Sequence, residues 1–119
     1  MEVFRNFRFH SARHLPNLDD NHICKKIHGH TFNLIVYVNG EINSKTGFVI
    51  DFYTIDKIVE LNIIKKIDHK LLNDIPNLDN PTSEHLCVWI WNNLNKHLEG
   101  LSKLILSEDH GTGIVFKGE

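Results

Sequence analysis

The sequence predicts an α+β fold, a four-stranded antiparallel sheet with two helices on one face. Three observations predict it: apolar residues alternate with period two near both ends of the chain, they recur at helical spacing in the middle, and no repeat, linker or low-complexity stretch divides the 119 residues. A chain of this length makes a single domain, 1–119, with a modest core.

The elements follow in order. From Val3 to Ala12 the pattern is strand-like, with Val3, Phe7 and Phe9 on one face and Asn6, Arg8 and His10 on the other. Leu15 to Asn21 is polar and turn-rich, a surface loop. Thr31 to Asn39 alternates again, turning Phe32, Leu34, Val36 and Val38 inward, and Asn39-Gly40 ends that strand. Phe48-Val49-Ile50 reads as a short apolar strand running into Asp51, which caps a helix with the stripe Phe52, Ile55, Val59, Ile63 and Ile67. A second helix opens with Asn80 as cap, Pro81 in the first helical position and Glu84 in the first turn, and buries Leu86, Ile90, Leu94 and Leu98. Leu101 to Ser107 and Gly113 to Lys117 close the sheet as a hairpin. One sheet face and both edges stay uncovered, so the chain is expected to self-associate into a barrel with pockets between subunits.

Charge narrows the function. Thirteen basic and fifteen acidic residues give a net charge of -2, with no electrostatic footprint for nucleic acid or an anionic membrane. No segment has the length or flanks of a signal peptide or spanning helix, which predicts a cytoplasmic protein. In a reducing compartment the two cysteines, Cys24 and Cys87, are not expected to pair. Cys87 sits among apolar helix residues and reads as core.

The chemically loaded stretch is Cys24-Lys-Lys-Ile-His28-Gly-His30. Histidines one residue apart in an extended segment point to the same side and can grip one metal ion. Cys24 could be a further ligand, or lie just outside the metal as nucleophile or base.

Taken with Gly47-Phe-Val-Ile-Asp-Phe52, Asp68-His69, Asn80-Pro-Thr-Ser-Glu84 and Glu108, that stretch gives the chain its resemblance to the 6-carboxy-tetrahydropterin synthases, relatives of the 6-pyruvoyl-tetrahydropterin synthases. The match runs nearly full length, from Phe7 to Glu119. The resemblance implies the tunnelling fold, in which trimers form a barrel and pair into hexamers with active sites between subunits. It implies a zinc-dependent lyase that converts 7,8-dihydroneopterin triphosphate to 6-carboxy-5,6,7,8-tetrahydropterin, acetaldehyde and triphosphate, toward queuosine. His28 and His30 would hold the Zn2+, Cys24 would be the base, and His69, oriented by Asp68, the complementary proton carrier. Glu108 would anchor the pterin, with Thr82 near the same pocket. The alternatives are 6-pyruvoyl-tetrahydropterin synthesis, which the three-residue gap between Cys24 and His28 disfavours, and a non-catalytic zinc or pterin-binding module. One departure matters. The family places a zinc histidine where this chain has Arg13, so the expected third ligand is His14, turned inward by a bulge at the strand end, with His10 or Cys24 as substitutes.

Overall fold

The computed structural model describes residues 1–119 and contains one sheet of order β1-β2-β3-β4, every neighbouring pair antiparallel. The strands are β1 (Glu2–Arg13), β2 (His28–Asn39), β3 (Leu101–Glu108) and β4 (Gly113–Phe116). Alternation sends Phe9, Phe32, Leu34, Val36, Leu104 and Leu106 to one face, where each is fully buried.

Helices cover that face. Asp51 caps α1 (Phe52–Val59), its side chain accepting from the Tyr53 N–H, as the sequence predicts. The chain then widens into a π-helical turn, Glu60–Ile64, before α2 (Lys65–Ile67). This turn keeps Ile55, Val59, Ile63 and Ile67 all at 0 % exposure. The last helix, α3 (Ser83–Leu94), buries Leu86, Cys87, Ile90 and Leu94. Each such aliphatic side chain contributes about 1.5–3 kcal/mol of burial, so the two helical segments and the sheet hold one another. No helix is long and apolar enough to cross a membrane.

Two expectations are corrected here. Phe48–Ile50 is not a strand: Asn43 closes a turn around it, with Asn43 N–H donating to the Phe48 carbonyl at 2.7 Å and the Asn43 side chain accepting from the Lys45 and Thr46 N–H groups. Both backbone groups of Phe48 are spent locally, its N–H donating to the Thr46 hydroxyl, and the segment pairs with no strand of the sheet. The cap of α3 is Thr82, not Asn80, because the Thr82 hydroxyl accepts from the His85 N–H while Pro81 stays outside the helix.

The ends of β1, β2 and β3 at Arg13, His28 and Glu108 come together at one end of the apolar core. Past α2 the chain returns to the outer edge of β1, where the His69 N–H donates to the His10 carbonyl, the Ala12 N–H donates to the Lys70 carbonyl, and Leu71 forms a parallel bridge with Ala12.

Candidate active site

The same alternation that builds the core builds the site. Continuing Phe7 and Phe9 by two-residue steps brings Ser11 and Arg13 to the covered face, and continuing Phe32 backward brings His30 and His28. Arg13 faces His28 across the ladder, and Ser11 faces His30. The rings of His28 and His30 lie 4.7 Å apart, edge to face. His28 Nδ1 lies 2.7 Å from the Lys26 carbonyl. A carbonyl only accepts, so Nδ1 carries the hydrogen, and in the neutral ring Nε2 is then the atom free to accept or to ligate.

Glu108 is the hub. Its Oε1 accepts from Arg13 at 2.6 Å and from the Ser83 hydroxyl at 2.9 Å; its Oε2 accepts from Thr112 at 3.2 Å and lies 3.0 Å from His110 Nε2 and 3.9 Å from His30 Nδ1. Burial pushes the Glu108 carboxyl up, but the Ser83 hydrogen bond and the charges of Arg13 and His30 outweigh it and hold the group below its ordinary value. Burial also pulls His30 below the ordinary histidine range, against the pull of Glu108.

Beside this hub lies a cavity of about 570 Å³, lined among others by His10, Ser11, Gly29, His30, Thr31 and His69. Asp68 sits 3.0 Å from His69 Nδ1 and accepts from the His10 N–H at 2.9 Å. Those contacts with His10 and His69 outweigh its burial, which alone would raise it, and keep its carboxyl below the usual range. His69 has φ 58, the left-handed region, which costs a residue with a Cβ about 1–3 kcal/mol. Its N–H bond of 2.6 Å to the His10 carbonyl holds it there.

Not every predicted site residue converges. β1 runs to Arg13 in unbroken register, so no bulge re-aims His14, whose backbone N–H and carbonyl are both taken by the Asn73 side chain. Cys24 is half-buried in a short 3-10 turn, and its N–H donates to His22 Nδ1. The one group of three side chains whose ligand atoms lie mutually within 4.8 Å, able in principle to hold a metal ion, is His30, Glu108 and His110, without His14, His28 or Cys24. Of the expected zinc set only His30 belongs to that group, while the His28 ring lies beside the His30 ring at 4.7 Å. Ser83, His110, Thr112 and the inward Arg13 were missed from sequence; only Arg13 had a signal, the strand parity running through Phe9 and Ser11.

A four-stranded antiparallel sheet closed on one face by helices, with a histidine and carboxylate rim at one end, is the architecture of the tunnelling-fold class. The chain belongs to the 6-pyruvoyl tetrahydropterin synthase family, whose model matches residues 2–119. It is 42% identical over 93 residues to a dihydroneopterin monophosphate aldolase of Pyrococcus furiosus, covering 76% of this chain and 77% of that one. It is 33% identical over 98 residues to a 6-carboxy-5,6,7,8-tetrahydropterin synthase of Synechocystis, covering 79% and 74%. Human 6-pyruvoyl tetrahydrobiopterin synthase is 37% identical over 97 residues, covering 77% and 67%. Among solved structures, the Caenorhabditis elegans 6-pyruvoyl tetrahydropterin synthase shares the fold with a TM-score of 0.90 at 23% identity, over 100% of this chain and 96% of that one.

Proposed function

We propose that this chain is a carbon–carbon lyase that cleaves the side chain of a 7,8-dihydroneopterin phosphate, releasing 6-carboxy-5,6,7,8-tetrahydropterin, acetaldehyde and triphosphate when the substrate is the triphosphate. The observation that carries the reading is His69, held by Asp68 on the edge of β1 and lining the cavity that His30 also lines. The neopterin side chain has three carbons and acetaldehyde two, so the bond that breaks joins the first and second side-chain carbons. Breaking it needs a proton taken from a hydroxyl and a proton delivered to carbon; in the triphosphate reaction the triphosphate leaves from the third side-chain carbon and one water supplies the second oxygen of the carboxylate. His69, held by Asp68, is one carrier; Cys24, brought from its loop or from a neighbouring subunit, is the other. Glu108 would orient the pterin, exchanging a present partner for ring N–H groups. Oligomerisation to a trimer or hexamer would complete the pocket, and the product would feed queuosine-type deazapurine synthesis.

A second reading, aldol cleavage of the monophosphate, is favoured by the 42% identity to the Pyrococcus aldolase. It breaks the same bond and differs in the fate of the one-carbon stub. Neither reading routes a step through zinc, because the three-imidazole set that the resemblance implies is not assembled. The test is incubation with the tri- and monophosphates and product identification by mass. A carboxy product with acetaldehyde supports the first reading, and a hydroxymethyl product the second. A product retaining all three side-chain carbons refutes both.

A further inference from the structure

The buried side-chain nitrogens and oxygens that lack a hydrogen-bond partner are Arg13 Nε, His28 Nε2 and His30 Nε2. They belong to one corner. Arg13 is the ladder partner of His28, and His30 lies one step along the same face. Buried polar atoms are normally paired, so three orphans together mark a place with a chemical task.

Their chemistry is complementary. In the tautomer that carries its hydrogen on Nδ1, each imidazole offers an Nε2 lone pair, which calls for a cation or a donor. The residue β1 delivers opposite them is a cation with an uncommitted N–H. The rest of its guanidinium is fixed: one terminal nitrogen holds Glu108 at 2.6 Å, the other donates to the Pro81 carbonyl and the Ser83 hydroxyl at 3.2 Å each, and the group lies over the Phe32 ring at 5.5 Å. Arg13 is 5% exposed. Held by three partners and a ring face, it cannot swing out to make room. A divalent ion placed between the two imidazoles would face that charge across a desolvated gap, where water does little to screen it.

We infer that Arg13 is the resident cation of this corner, standing where a third metal ligand would otherwise be. The site keeps a fixed positive charge beside His28 and His30 but binds zinc far more weakly than a three-histidine site. If the lyase reading above is right, this guanidinium is also the charge that stabilises the oxyanion formed as the side chain breaks; the metal prediction stands without that reading.

The experiment is zinc and cobalt binding to the purified wild type and to Arg13→His, by metal analysis after gel filtration and by titration against a competing chelator. The wild type is expected to retain well under one zinc per chain. Arg13→His should hold one zinc per chain at least about 100-fold more tightly, with a tetrahedral cobalt spectrum. A wild type that binds one zinc within tenfold of the variant's affinity overturns the inference. So does wild-type zinc that disappears in His110→Ala, since the metal would then belong to the His30, Glu108 and His110 group. Should Arg13→His fail to fold, Arg13→Gln removes the charge together with the guanidinium's bonds to Pro81, Ser83 and Glu108 and should tighten zinc by at least about tenfold; an unchanged affinity refutes the idea. Product analysis decides the lyase reading separately.

Discussion

Replacing Glu108 by Gln should cost the fold more than almost any other isosteric change. Arg13 and Glu108 are 6% and 7% exposed at the side chain and meet at 2.6 Å. Glutamine keeps an oxygen for the guanidinium but no charge, so the buried cation is left uncompensated, a loss of about 3–5 kcal/mol. Part of it is visible as pH dependence. The wild-type carboxyl is held below its ordinary value of 4.5, so its contribution is complete above that value and is lost as the pH falls through the depressed folded one. The variant should be flat for this group across the same window. The assay is urea denaturation at fixed protein concentration, at neutral pH and in an acid series, since self-association shifts midpoints by mass action. A midpoint lowered by about 1–3 M is expected. The paired change Arg13→Met with Glu108→Leu should recover most of the loss, because two well-packed apolar groups avoid both desolvation penalties. A single variant that loses less than about 1 kcal/mol would mean that the pair is solvated, contrary to the structure.

Other outcomes follow from the same geometry. Native protein should react with a thiol reagent at Cys24 alone near pH 8, and at both cysteines once unfolded. Cys87 is fully buried, with its pKa raised by burial to about 11; two fast-reacting native thiols would contradict this. Leu106→Ala, at 0 % exposure on the central strand β3, should cost about 2–5 kcal/mol in the same denaturation assay. His69→Gly should change stability by no more than about 1 kcal/mol, since relief of the left-handed backbone offsets glycine's entropy, yet lose turnover; a loss above about 2 kcal/mol would show that the ring packs structurally. Cys24→Ala should lower turnover by about 100-fold or more and leave the urea midpoint unchanged, and an active variant would remove Cys24 from the reaction.

The sheet, both helices and most inward apolar positions were legible because period-two and helical repeats report burial directly, as Phe32-Leu34-Val36-Val38 shows; Phe52, expected in the buried stripe, is 49% exposed at the start of α1. Phe48–Ile50 misled because three apolar residues look alike in a strand and in a turn closed by Asn43. At the site, the closeness of the His28 and His30 rings was readable from their spacing. Ser83, His110 and Thr112 were not, because their meeting at Glu108 depends on where α3 and the β3–β4 turn land, which no local pattern carries. His14 was a choice between residue type and parity. Parity won, since a regular ladder to Arg13 leaves the next residue no inward position.

The return of residues 69–71 to β1 has a consequence for assembly. The carbonyl of His10 and the N–H of Ala12 are already engaged on the outer edge, so that stretch of β1 cannot serve as a seam for another strand. By alternation the outward backbone groups of Phe4, Asn6 and Arg8 face the same edge, and they have no partner outside the ladder. A neighbouring subunit zipped onto this side would have only that half-length to grip. The return loop would thus double as a stop that limits how far along the edge such a partner could slide, and so which of its residues could arrive beside His69.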